Sequence, residues 1–167
     1  MGTVTLRGNP LQLSGELPAV GSAAPEFSLT GVDLKDVQLA SLRGSKVVLN
    51  IFPSVDTATC AMSVRRFNAE LSAHPGTKVL CISRDLPFAL KRFCGAEGLD
   101  QVQTVSELRD LSFGSAYGLR LLNGPMAGLL ARAVVVLSEE GVVTYTQLVP
   151  EITQEPDYAS ALAALTA

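Results

Sequence analysis

Apolar positions along the chain alternate in some stretches, run together in others and recur at the helical period elsewhere, and their order predicts an α/β domain. Near the amino terminus "TVTL" and "LQLS" alternate around Arg7, Gly8, Asn9 and Pro10, which predicts a β-hairpin over about residues 3–14. "FSLTG" and "VQLASL" predict short strands on either side of residues 32–36. The continuous apolar runs "KVVLNIFP" (46–53) and "TKVLCIS" (77–83) are the pattern of strands buried on both faces. Between them Cys60, Val64, Phe67 and Leu71 recur at helical spacing, with Arg65, Arg66 and Glu70 on other faces, and the stripe ends near His74-Pro75-Gly76. Asp85 then offers an N-cap, with Pro87 near the first helical position, for a second helix running through Phe93 and Cys94 to Gly95. "DQVQTVS" predicts a third strand and "ELRDLSFGSAYG" a short helical region. "RAVVVLSEEGVVTYTQLV" predicts a strand pair joined at Glu139-Glu140-Gly141, and "PDYASALAALTA" a closing helix with Pro156 near its start. Alternating βαβα units followed by an antiparallel pair predict a mixed sheet flanked by helices, an order matching a thioredoxin-like core.

Composition narrows the possibilities. A chain of 167 residues, 47% apolar and 17% charged, fits one globular domain over 1–167 with enough length for a core. A net charge of −3 leaves no basic stripe for nucleic acid, and Arg65-Arg66 alone does not make one. The longest apolar stretch, "MAGLLARAVVVL", is interrupted by Arg132 and is shorter than the roughly 20 residues a bilayer span requires. "MGTVTLRGNP" shows no secretory pattern, and its Met-Gly start lacks the Ser or Thr that myristoylation wants where Leu6 stands, so a cytoplasmic location is the expectation.

Three cysteines with no C-x-x-C and a single histidine argue against a zinc site or a disulfide framework. Each cysteine has its own surroundings. Cys60 falls in the first turn of a helix that follows a buried strand, where unpaired N–H groups and the helix dipole favour an anion, with Asp56, Thr57 and Thr59 all able to cap that turn. Position and period alone leave two readings, an activated thiol or one more member of the apolar stripe. Cys94, at a helix end before Gly95, is either a thiol released by fraying or a cysteine without a role. Cys81, in the middle of "VLCIS", reads as a small core residue. His74 lies at the far end of the first helix, about 15 Å from Cys60 if roughly ten helical residues intervene, and reads as a surface loop histidine. Arg132 stands at the mouth of the apolar run "AVVVL", where it is either a surface arginine or a guanidinium facing an anion.

The stretch "PSVDTATC", with Pro53, Thr57 and Cys60, fits the P-x-x-x-T-x-x-C active-site motif of peroxiredoxins. The longer "NIFPSVDTATCAMSVRRFN", with "RFCGAEGL", "GLLARAVVVL" and "QLVPEITQEPDY", resembles the bacterial thiol peroxidase subfamily from about Pro10 onward. The resemblance implies a thioredoxin-like fold with an added amino-terminal hairpin and an atypical two-cysteine mechanism. In it Cys60 is the peroxidatic cysteine that attacks a hydroperoxide, and Cys94 is the resolving cysteine that closes an intramolecular disulfide. Thr57 and Arg132 hold thiolate and peroxide, and Pro53 shields the site. It also implies a homodimer, thioredoxin as reductant and no cofactor. A redox sensor or redox-regulated binding protein on the same fold is the alternative. A thiol-disulfide oxidoreductase is disfavoured because Thr57 stands where a C-x-x-C would place its first cysteine. Ionising a free thiol fully at neutral pH gains at most about 30-fold, or about 2 kcal/mol of barrier, so activation of sulfur alone is not the whole of such catalysis.

Overall fold

The computed structural model describes residues 2–166. Strands β1 (Thr3–Leu6) and β2 (Asn9–Gln12) form the amino-terminal hairpin. Its turn is Arg7-Gly8, both with positive φ, so Asn9 and Pro10 belong to β2 rather than to the loop. The remaining strands are β3 (Ser28–Gly31), β4 (Asp36–Gln38), β5 (Val47–Ile51), β6 (Lys78–Ser83), β7 (Gln103–Ser106), β8 (Ala133–Leu137) and β9 (Val143–Leu148). They make one mixed sheet in the order β4-β3-β7-β6-β5-β8-β9, with β5, β6 and β7 parallel and the other pairs antiparallel. The helices are α1 (Ala58–Glu70), α2 (Pro87–Glu97), α3 (Ser112–Ala116) and α4 (Tyr158–Ala163).

Burial on both faces explains the continuous apolar runs. In β5, Val47, Leu49 and Ile51 enter one core with Val4, Leu11, Phe113 and Tyr117, under the hairpin and α3. Val48 and the following Phe52 enter the other, with Val64, Phe67, Leu90, Tyr158 and Ala161 of α1, α2 and α4. The thioredoxin-like fold expected from the element order is the one observed.

Three local expectations are corrected. "VQLASL" is a strand only to Gln38, after which Leu39–Leu42 form a 3₁₀ turn whose two leucines, three residues apart, are its buried face. Helix α2 does not stop at Gly95 but continues to Glu97, because Gly98, at φ 65, is the residue that takes the left-handed capping conformation. Asp85 does not cap α2: Leu86 is the N-cap residue, and the Asp85 carboxylate turns to the loop after β5. Among the described residues no helix is long and apolar enough to cross a membrane.

Candidate active site

The site forms where the sheet brings the end of β5 beside the start of β8. These strands are antiparallel with Ile51 opposite Ala133, so the residues just past β5 meet Arg132, just before β8. That register joins groups 72 residues apart in sequence.

After Phe52 the chain turns at buried Pro53 and runs through Ser54–Asp56 to Thr57, the N-cap of α1. The Thr57 hydroxyl donates to the Ser54 carbonyl at 3.1 Å and accepts from the Cys60 backbone N–H at 3.3 Å. Of the three candidate caps Thr57 is therefore the one used, and Cys60 lies in the first turn, within reach of the positive end of the helix. Asp85 fixes the loop from below, accepting from Ser54 Oγ at 2.7 Å, the Val55 N–H at 2.9 Å and Ser83 Oγ at 2.6 Å. The sequence marks Asp85 only as a candidate cap, a role it does not fill, and does not reveal it as the anchor of the loop leading to Cys60.

Cys60 is fully buried, and Arg132 Nη2 donates to its Sγ at 3.3 Å. Arg132 is itself only 1% exposed. Its Nε donates to the Ile152 carbonyl at 2.9 Å, and its Nη1 has no hydrogen-bond partner. Among the described residues Arg132 makes no ion pair with a carboxylate, so the sulfur of Cys60 is the group placed to balance its charge. A buried guanidinium with an unused donor is costly unless another acceptor enters the site. Next to it lies a cavity of about 360 Å³ lined by Pro53, Thr57, Arg132 and Ile152, with Leu6 and Arg7 of the hairpin and Met126 at its walls.

The other two cysteines lie apart from that cavity, and all three are free thiols. Cys94, on α2, is half-buried with its sulfur 3.6 Å from Thr104 Oγ1 of β7, and burial pushes its thiol pKa up while that contact lowers it. It borders a second cavity of about 540 Å³, lined by Val32, Leu99, Val102 and Thr104 among others, which shares no residue with the first. Strands β7 and β5 are separated by β6, about 10 Å across the sheet. Cys81 is buried within β6, and desolvation pushes its pKa up to about 12 despite a hydrogen bond from Asn50 Nδ2 at 3.7 Å. His74 follows the end of α1 and lines neither cavity.

The chain matches the family model described as Redoxin over residues 19–162. It is 60% identical to the thiol peroxidase of Mycobacterium tuberculosis over 167 residues, covering 100% of both chains. Among solved structures, a peroxiredoxin-like protein from Aquifex aeolicus superposes with a TM-score of 0.93 at 37% identity, covering 98% of this chain and 95% of that one. A thiol peroxidase from Chromobacterium violaceum gives a TM-score of 0.91 at 23% identity with the same coverage, a likeness of fold. With its mixed sheet, its amino-terminal hairpin and a full-length match to a thiol peroxidase, the chain belongs to the Redoxin family, in the thiol peroxidase group of the peroxiredoxins.

Proposed function

We propose that the protein is a thiol peroxidase that reduces hydrogen peroxide and organic hydroperoxides at Cys60, resolves the product with Cys94 and is recycled by a thioredoxin-type dithiol. The observation that carries this reading is the buried Arg132, with one nitrogen on Cys60 Sγ and another without a partner. A hydroperoxide supplies the missing acceptor. Its one O–H proton has a matching acceptor in Thr57 Oγ1, whose own proton is engaged by the Ser54 carbonyl, so the hydroxyl is left to accept. Those two contacts aim the terminal peroxide oxygen at sulfur.

In the first step the Cys60 thiolate attacks that oxygen, an S–O bond forms and the O–O bond breaks. Negative charge moves onto the departing oxygen, which the Arg132 fork is placed to stabilise, and a proton converts it to water or an alcohol. Cys60 becomes a sulfenic acid, oxidised by two electrons. In the second step Cys94 attacks the Cys60 sulfur, a disulfide forms and water leaves. A disulfide needs Cα atoms within about 7 Å, and Cys94 borders a cavity that shares no residue with the one lined by Thr57 and Arg132 next to Cys60, so the reading includes local unwinding around one or both helix segments before the bond closes. A reductant dithiol then takes the disulfide back to two thiols. Pro53 closes the cavity wall without offering an N–H that would compete for the peroxide. The reading also includes one functional domain over 1–167, a homodimer and a cytoplasmic, reducing location. A redox sensor would use the same first step but turn over poorly.

Hydroperoxide consumption driven by a thioredoxin system, compared among wild type, Cys60→Ser, Cys94→Ser and Cys81→Ser, tests the reading. Activity should vanish without Cys60, fall sharply without Cys94 and survive without Cys81. Retained turnover in Cys60→Ser, or a greater dependence on Cys81 than on Cys94, would overturn it.

A further inference from the structure

The cavity lined by Thr57 and Arg132, next to Cys60, is larger than hydrogen peroxide requires. Its volume of about 360 Å³ is on the order of ten times the liquid-volume share of one water. Pro53, Leu6, Met126 and Ile152 make much of its wall apolar, and two arginines face it: buried Arg132 next to sulfur, and Arg7 at the tip of the β1–β2 hairpin.

Arg7 is not explained by the turn it occupies. Arg7 has φ 51 and Gly8 φ 83, and a two-residue turn with positive φ at both positions favours Asn, Asp or Gly, whereas the left-handed conformation disfavours a long side chain. Nor is it explained by an ion pair, since among the described residues its guanidinium makes none. The neighbouring Glu151 carboxylate is committed to the Gly8 N–H at 3.0 Å, Thr5 Oγ1 at 2.9 Å and the Thr153 N–H at 3.0 Å. Those bonds, with Ile152 N–H donating to the Thr5 carbonyl at 2.9 Å, lock the hairpin to the same turn whose Ile152 carbonyl holds Arg132. A forked cation on the exposed hairpin turn thereby lines the same mostly apolar cavity as Thr57 and Arg132, the two residues hydrogen-bonded to Cys60, an arrangement in which strain at a residue whose side chain makes no ion pair among the described residues points to function.

We propose that Arg7 is a specificity-determining residue that selects hydroperoxides bearing an anionic group, a carboxylate or phosphate, on an apolar chain. The anion is held at the mouth by Arg7, the chain lies along Leu6, Met126 and Ile152, and the –OOH group reaches Cys60. The proposal rests on the peroxidase reading of Cys60 and adds the substrate class. The chemical step is unchanged: the O–O bond breaks, the anionic alcohol leaves, and Cys60 is oxidised by two electrons.

The test compares second-order rate constants of the reduced protein with three probes: a hydroperoxyalkanoic acid, its uncharged methyl ester and a hydroperoxyalkyl phosphate of equal chain length. Arg7→Asn removes the charge with a residue the turn favours, and Arg7→Lys retains it. Because each ratio is taken on one protein, any general loss of activity cancels. Wild type should prefer at least one anion over the ester by about three- to fivefold at low ionic strength, the upper range for an exposed ion pair. The preference should shrink in high salt, fall to about one in Arg7→Asn and largely persist in Arg7→Lys. The anion with the larger ratio identifies the headgroup. If all three probes are consumed by wild type at equal rates, or if Arg7→Asn keeps the wild-type ratio, the assignment of Arg7 is wrong. If none oxidises Cys60, the peroxidase reading falls with it.

Discussion

Replacing Arg132 with methionine should move activity and stability in opposite directions, which no purely structural role for this arginine would do. The side chain donates to Cys60 Sγ at 3.3 Å through Nη2, leaves Nη1 free and is 1% exposed. Loss of a charge-assisted hydrogen bond to the reacting sulfur is worth about 1.5–3 kcal/mol. Loss of a donor to the charge developing on the departing oxygen is worth about 2.7–4 kcal/mol, by analogy with oxyanion-hole donors. Together these amount to about 4–7 kcal/mol, or a fall of about 10³- to 10⁵-fold in the rate constant for peroxide. Stability runs the other way. In a Cys60→Ser background no anion balances the buried guanidinium, and exchanging it for an apolar side chain of similar length should be neutral or stabilising by about 1–4 kcal/mol, less about 1 kcal/mol for the bond to the Ile152 carbonyl. The chain has no tryptophan, so the rate is best followed by quenching with an alkylating reagent and weighing the remaining thiol by mass spectrometry. Urea unfolding of Cys60→Ser with and without the Arg132 change gives the second quantity. A rate loss below tenfold, or a destabilisation above about 2 kcal/mol in the Cys60→Ser background, would refute the reasoning.

Three further outcomes follow from the same geometry. Cys81, fully buried and pushed up to about 12, should resist iodoacetamide at pH 8 in the native protein and react only in denaturant; early labelling would show that β6 is not the closed core strand described. Asp85→Ala removes the acceptor for Ser54, Val55 and Ser83, so it should cost about 2–4 kcal/mol in urea unfolding and slow peroxide attack by about 10- to 100-fold, because the loop carrying Thr57 loses its anchor. A stability loss with an unchanged rate of attack would remove Asp85 from the positioning of Cys60. Backbone hydrogen bonds from Thr153, Gly8 and Arg7 hold Glu151 down to about 2, against 4.5 for the free group. Its contribution is therefore complete above about pH 4.5 and is lost as pH falls toward 2, so Tm should drop more steeply across that window in wild type than in Glu151→Gln; equal slopes would show that the hairpin is held by other contacts.

Much of the fold was legible because the central strands are buried on both faces: "KVVLNIFP" and "TKVLCIS" have no exposed side to interrupt the apolar run. What the pattern misplaced depended on groups far away in sequence. Leu39 and Leu42 continue an apolar stretch, yet only the packing of the sheet selects a 3₁₀ turn over further strand. Gly95 reads as the stop in the sequence, and only the backbone shows that Gly98 is the left-handed residue that ends the helix. Asp85 looks like a cap because it precedes Leu86-Pro87, and nothing local reveals that Ser54 and Val55 wait for its carboxylate. In the site, Pro53, Thr57 and Cys60 could be grouped from one short stretch, and Arg132 stood out as a charge in front of a core strand. The pairing of Arg132 with Cys60 needed either the resemblance or the β5–β8 register. The Glu151 anchor, the Ile152 carbonyl and the hairpin wall of the cavity were beyond both, since each is made by tertiary contact alone.

The most direct test of the account is to treat the fully reduced protein with one equivalent of hydroperoxide, block the remaining thiols, digest and identify the oxidised cysteines by mass spectrometry. One disulfide-linked peptide pair within a single chain, joining Cys60 to Cys94, should be recovered, with Cys81 as a blocked thiol. In Cys94→Ser, Cys60 should be recovered as a sulfenic acid. A disulfide through Cys81, or peroxide consumed while Cys60 remains a thiol, would contradict the account.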